Sequence, residues 1–195
     1  MDGLKTLSKV KNPKLAKQGK ISYEWARSHM QILDNTLNRL KKSKPLKGVT
    51  IGFCLHITKE TSVLVMGAKE LGANVAVCGG NPLTTQDNIA AFLASQGVHI
   101  YAWNDQTTKE YDWCIEQVLK HKPVLICDDG ADMNVKVHFD KKFKSLKVLG
   151  STEETTAGVT RVKAMEKQGK LKYPVIIVND ADTKHMFDNR YGTGQ

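Results

Sequence analysis

Six short apolar runs, Val49–Cys54, Val75–Cys78, Val98–Tyr101, Val124–Cys127, Leu146–Leu149 and Val175–Val178, leave this chain few folds. Each is followed by a helix-like stretch: through about Leu71, then Thr85–Ser95, Thr107–Leu119, a short segment after Cys127, Glu153–Glu166 and Thr183–Phe187. Strands so brief and so apolar are buried on both faces, and a helix after each one supplies the crossover that parallel pairing requires. The expected class is α/β, a Rossmann-like three-layer αβα sandwich with a mainly parallel sheet and right-handed crossovers. Ahead of the rhythm, Trp25, Met30, Ile32, Leu33, Leu37 and Leu40 recur at helical spacing from Ser22, which predicts an extra N-terminal helix ending near Pro45.

The formal charge of +9 raises the question of nucleic acid, and its location answers it. Residues 1–48 hold 12 basic and 3 acidic side chains, and the remainder holds 17 of each, so the whole excess lies at the N-terminus. Residues 1–20 therefore read as a basic arm. Its lysines have no interleaved aromatics on which bases could stack, so a solvated face is the expected meaning and nucleic acid is not an expected partner. No apolar run approaches the length of a membrane span. Met1–Lys20 alternates lysines with single apolar residues and lacks the apolar core of a secretory signal. Cys54, Cys78, Cys114 and Cys127 form no CxxC pair, and three of them end apolar runs, as buried thiols do. These features predict a cytoplasmic protein that crosses no membrane.

Open parallel sheets bind ligands beyond the carboxyl ends of their strands. The residues that follow the apolar runs are Leu55–Thr61, Gly79–Asp87, Asp128–Asp132, Gly150–Thr156, and Asn179-Asp180 with Lys184, Asp188 and Asn189. Polar groups from five strand ends are thus expected on one rim. Thr58, Thr85 and Thr152 serve equally well as helix N-caps, and Ser151–Glu154 as a helix start with acids favoured by the dipole. Asp128-Asp129-Gly130-Ala131-Asp132 resists that reading, because neighbouring carboxylates need a cation, hydrogen-bond donors or a bound proton. Lys184 would meet the need if the last strand neighbours the fourth. Neither HExxH nor paired Cys/His spacing is present, so no metal is expected, and no strand is followed by GxGxxG.

Six ordered segments, from about Ile21 onward, resemble the S-adenosylhomocysteine hydrolase family. Cys54–Thr61 (CLHITKET) is similar to its CLHMTxET motif, Asn81–Asp87 to NxxSTQD, and Tyr101-Ala102-Trp103 with Glu110–Gln117 to YAW…EYxWCxEQ. Asp128–Asp132 is similar to DDGGD, Glu153–Val159 to EETTTGV, and Asn179–Gly192 to ND…TK…FDNxYG. Ala157 stands where the family has a third threonine, and Ala131 where it has a second glycine.

The resemblance implies reversible hydrolysis of S-adenosyl-L-homocysteine to adenosine and L-homocysteine through NAD-dependent 3′-oxidation and elimination of the thiol. It implies catalytic roles for His56 at the 5′ leaving group, Asp129 as a base near the 4′-carbon, and Lys184 at the 3′-hydroxyl with Asp188 beside it. Thr58, Glu60, Gln86, Glu154 and Asn179 would bind substrate, and Thr155, Thr156 and Asn189 would reach NAD held mainly by another domain. Residues 21–189 are then the substrate-binding domain, and 190–195 open an interdomain hinge beyond which relatives carry a NAD-binding domain. The full-length protein would be a homotetramer, and the 195-residue chain alone inactive. A non-catalytic regulatory or scaffolding relative acting through the basic arm is the alternative.

Overall fold

The structure is a computed structural model that describes residues 8–192. Its centre is a sheet of six parallel strands: β1 (Thr50–Cys54), β2 (Asn74–Cys78), β3 (His99–Tyr101), β4 (Leu125–Asp128), β5 (Gly150–Glu153) and β6 (Val175–Ile177). The strand order is β3-β2-β1-β4-β5-β6, so the chain winds outward from β1 on one side and from β4 on the other. Helices α3 (Lys59–Glu70), α4 (Asp87–Ser95), α5 (Thr108–Lys120), α6 (Asp132–Phe139) and α7 (Thr156–Lys167) make the crossovers. The expected Rossmann-like layering is what the chain adopts.

Two large apolar cores flank the sheet. One joins Phe53, Ile57, Val63, Val65, Ile89 and Leu93, and the other Ile115, Val118, Leu119, Ile126 and Met133. A small third cluster of Ala131, Val162 and Met165 packs against Val175 and Ile177 of β6. Each such buried side chain contributes about 1.5–3 kcal/mol relative to exposure. Cys54, Cys78 and Cys114 are buried free thiols, and Cys127 is a half-buried one.

The N-terminal region departs from expectation. Residues 1–7 lie outside the described residues, but from Ser8 the chain is docked on the domain instead of forming a free arm. Lys9 bridges to β3 through Lys9 N donating to Ile100 O (2.9 Å) and Ala102 N donating to Lys9 O (3.2 Å). Its ammonium lies over the Trp103 ring, 4.4 Å from the centroid. Asn12 accepts a hydrogen bond from Lys14 N, and Pro13 opens a helical turn that runs into α1 (Ala16–His29). An Asn-Pro start is a sound N-terminal signal, so the helix begins six residues before Ser22. It breaks at Met30 and resumes as α2 (Gln31–Leu40). Gly19 lets α1 approach the Asn88 carbonyl and Phe92 of α4, and Arg27 pairs with Glu70 of α3 and with Asp34 (2.9 Å).

The fifth strand also lies elsewhere. The apolar run Leu146–Leu149 is its approach, and β5 itself is the polar tetrad Gly150-Ser151-Thr152-Glu153. Leu146 and Val148 pack against the second core, whereas Leu149 is exposed. Beyond β6, a helical segment α8 (Asp182–Lys184) widens into π-type turns over His185–Gly192. Residues 193–195 of the expected hinge lie outside the described residues.

Candidate functional site

Strand register builds the site. Cys54 of β1 pairs with Asp128 of β4, Asp128 with Glu153 of β5, and Glu153 with Ile177 of β6. The next residue of each strand therefore emerges on one rim, held by one more rung of backbone bonding: Asp129 N donates to Cys54 O (3.0 Å) and Glu154 N to Asp128 O (3.1 Å). That rim encloses a hollow of about 750 Å³ lined by His56, Thr58, Glu60, Asp129, Glu154, Thr155, Thr156, Lys184, Asp188 and Asn189. Leu55, Thr61 and Ala157 line it as well. It opens beside the switch between β1 and β4, where this topology places ligands.

The three aspartates have three different fates. Asp128, 1 % exposed, turns into the fold and accepts from Asn134 N (2.8 Å), Asn134 Nδ2 (3.0 Å) and Asp129 N (3.1 Å). Burial pushes its pKa up to about 7, against the pull of the Asn134 amide. Asp132 is held by Arg161 Nη1 (2.6 Å) and Tyr111 Oη (2.9 Å). Only Asp129 faces the hollow, where His56 Nε2 stands 3.4 Å from its Oδ2. Burial raises the Asp129 pKa, while His56 and Lys184 lower it and Asp188 raises it. The expected crowding is thus relieved within the fold, by Asn134, Arg161 and Tyr111. Nor does β6 neighbour β4, since β5 lies between them, yet Lys184 reaches the same hollow as Asp129.

Lys184 is a fully engaged ammonium. Its Nζ donates to Asn179 Oδ1 (2.8 Å) and Asn189 Oδ1 (2.6 Å), and lies 3.1 Å from Asp188 Oδ2. Asn179 is buried beneath it and holds the ammonium from below instead of lining the hollow. Glu154 is exposed at the mouth of the hollow, yet the desolvation of its carboxyl group there, followed by the charge of Asp129, raises its pKa.

Thr58 caps α3, accepting from Thr61 N (3.3 Å), and also lines the hollow. Thr85 and Thr152 cap nothing: Gln86 and Thr155 occupy the N-cap positions of α4 and α7, and Thr152 lies within β5. Gln86 is exposed at the start of α4 and is not among the residues around the hollow. Ala131 sits at φ +62°, a left-handed conformation that favours the glycine found at that place in the related motif.

Two supporting residues escaped sequence reasoning. Thr84 Oγ1 lies 2.6 Å from His56 Nδ1. Glu153 Oε1 accepts from Gly130 N (2.8 Å) and Thr155 N (3.2 Å), tying the loop of Asp129 to the loop of Glu154. Both looked like ordinary loop or cap residues, and only register reveals their partners. Among the described residues no three His, Cys, Asp or Glu side chains gather as a metal site, and no helix is long and apolar enough to cross a membrane.

Comparison with known proteins covers nearly all of the chain. The family model for S-adenosyl-L-homocysteine hydrolase matches residues 8–152 and 136–191. An adenosylhomocysteinase of Sulfurisphaera tokodaii is 51% identical over 187 residues, 96% of this chain and 45% of the relative. An adenosylhomocysteinase of Saccharolobus solfataricus is 50% identical over 96% of this chain and 45% of its own length. An S-inosyl-L-homocysteine hydrolase of Methanopyrus kandleri is 48% identical over 95% of this chain and 44% of its length. The chain spans slightly less than half of these curated relatives, and across that span it belongs to the S-adenosyl-L-homocysteine hydrolase family.

Proposed function

We propose that this chain is the substrate-binding half of an adenosylhomocysteinase, which hydrolyses S-adenosyl-L-homocysteine reversibly to adenosine and L-homocysteine. The observation that carries the proposal is the convergence of His56, Asp129, Glu154 and Lys184 on one nucleoside-sized hollow at the carboxyl rim of the sheet. In this reading residues 21–189 are the substrate domain, and the assembled protein, a cytoplasmic homotetramer, works in the methyl cycle of one-carbon metabolism.

The reaction asks for a proton carrier at each of three ribose positions. Bound NAD would supply reversible hydride removal from the ribose 3′-carbon. Thr155 and Thr156 at the start of α7 fit an edge of such a group, because both line the hollow and the Thr155 side chain makes no capping bond. Ala157, also on the hollow, offers that group only a methyl. Asn189 completes the set, though its Oδ1 is already shared with Lys184.

Lys184 assists deprotonation of the 3′-hydroxyl: once its Nζ has released one proton to solvent, the neutral amine takes the hydroxyl proton and returns it when the ketone is reduced. Its three acceptors hold the Nζ in place, and the substrate hydroxyl displaces one of them. Asp129 removes the 4′-proton, which a neighbouring ketone makes acidic. A carboxylate suits the task because partial burial raises its proton affinity while His56 and Lys184 keep the ionised form accessible. His56, 3.4 Å away, delivers a proton to the departing homocysteine thiolate and later takes one from the water that replaces it. Glu154 accepts from ribose hydroxyls, and Thr58 and Glu60 meet the base.

The test is to produce the chain within a protein of its relatives' full length and measure thiol release from S-adenosyl-L-homocysteine with NAD. Asp129→Asn should lower kcat by about 10²–10⁴-fold, the usual share of a positioned base. Wild-type activity in that variant rejects the assignment of Asp129, and turnover by the present chain alone rejects the expectation that it is inactive by itself.

A further inference from the structure

Which nitrogen of His56 carries its proton is decided outside the hollow, in the loop between β2 and α4. Asn81 Oδ1 accepts from Leu83 N (2.8 Å) and Thr84 N (3.0 Å), and these two backbone donors fix the amide with its oxygen inward. Thr84 Oγ1 also lies 3.0 Å from that oxygen, which can only accept, so the hydroxyl proton points at Asn81. The lone pairs of Thr84 Oγ1 are then left facing His56 Nδ1 at 2.6 Å. A contact that short between two acceptors would be repulsive, so Nδ1 must carry hydrogen.

The loop is built for this approach. Gln86 N donates to Ile57 O (2.9 Å) and Gln106 N to Pro82 O (3.1 Å), which pins it on both sides of Thr84. Gly80 passes so near the β1 loop that a Cβ there would stand 3.1 Å from His56 N and 3.2 Å from the Leu55 carbonyl carbon, tighter than side chains normally allow.

We propose that Asn81 and Thr84 form a relay that fixes His56 as the Nδ1–H tautomer and leaves Nε2 as the proton-carrying atom facing Asp129 and the hollow. Thr84 is a positioning residue, acting through His56. The proposal rests on the reading of His56 as the 5′-side proton carrier, and it adds how that carrier is aimed. With Nδ1–H spent on Thr84, the neutral ring can only accept at Nε2, and the protonated ring donates there to Asp129 or to a leaving thiolate. The opposite tautomer would turn a donor toward Asp129 and remove the base from the hollow.

Nitrogen-15 NMR of the histidine rings in this chain tests the relay directly, at about pH 8.5, above the ordinary histidine range. The His56 signals are assigned by their loss in His56→Gln. The wild type should show protonated Nδ1 and bare Nε2, and Thr84→Ser should keep that pattern. Thr84→Val, which deletes the acceptor at nearly constant shape, should move most of the population to Nε2–H. A wild-type ring already protonated at Nε2 overturns the proposal, whatever the variants do and whether or not they fold. A folded Thr84→Val protein with an unchanged Nδ1–H pattern also overturns it.

In the full-length protein Thr84→Val should lower kcat about tenfold or more with KM little changed, and Thr84→Ser should restore it, a fraction of the 10²–10⁴ that proton transfer contributes. A tautomer shift with unchanged kcat would overturn the catalytic part of the proposal. The NMR result needs no turnover, so failure of the relay and failure of the hydrolase reading are separable.

Discussion

Replacing Glu153 by alanine and by glutamine separates two reasons for keeping a carboxyl group inside this fold. Its side chain is fully buried, its Oε1 accepts from Gly130 N and Thr155 N, and its Oε2 has no partner. In Glu153→Ala both amides face a void. Each unsatisfied donor costs about 1–3 kcal/mol, which puts the expected loss near 4 kcal/mol, a large share of the ~5–15 kcal/mol stability of an ordinary domain. With a urea slope of about 2 kcal/mol per molar, the unfolding midpoint should fall by about 2 M. In Glu153→Gln the amide oxygen keeps both bonds, and the new NH₂ takes the place of an oxygen that bonds to nothing. Its midpoint should stay within about 0.5 M of wild type, the equivalent of ~1 kcal/mol. Burial raises the Glu153 pKa, so the native state keeps its proton to higher pH than the unfolded chain does. The corresponding stabilisation is full below the ordinary glutamate range and is lost as pH rises through the folded value. Glu153→Gln should flatten that slope. A glutamine variant as unstable as the alanine variant would refute the reasoning, because charge and not acceptance would then hold the two loops.

Three further expectations follow from single contacts. Gly19→Ala would drive a methyl into the Asn88 carbonyl and Phe92, so it should destabilise by about 1–3 kcal/mol in urea unfolding, and a silent substitution would mean that α1 is not docked as described. Ala131→Gly relieves a left-handed Cβ at φ +62°; about 1–2 kcal/mol of relief against ~0.4–1 kcal/mol of added chain entropy should give a small rise in thermal midpoint. Because burial raises the Asp129 pKa and the base must be ionised to act, kcat/KM of the full-length protein should fall on an acid limb above the ordinary aspartate range, and a limb within that range contradicts the role.

The sheet was legible because five strands are apolar, although β6 at the sheet edge leaves Ile176 exposed, and each ends where turn residues begin. The sixth was not, for a physical reason. Ser151 and Glu153 of β5 are buried although polar, since their backbone pairs with β4 and β6 and the Glu153 carboxylate serves neighbouring loops. Hydrophobicity instead pointed to Leu146–Leu149, which only approaches the strand. The basic arm misled in the opposite direction. Its charge suggested solvent, but Lys9 lies over Trp103 and its backbone extends the sheet edge. Most expected site residues do share one hollow, because strand ends were the correct place to look. Gln86 stands apart, Asn179 works from below, and Asp128 and Asp132 serve the fold. Those distinctions depend on which way successive residues turn at a strand end, and spacing alone does not carry that information.

The central claim is that one nucleoside sits among His56, Asp129, Glu154 and Lys184, and titrating the labelled chain with adenosine while following its backbone amide resonances tests it most directly. The expected result is a saturable set of shifts confined to residues 56–61, 129–130, 154–157 and 184–189, the segments around the hollow. Shifts clustered on another face, or none with adenosine at millimolar concentration, would contradict the account.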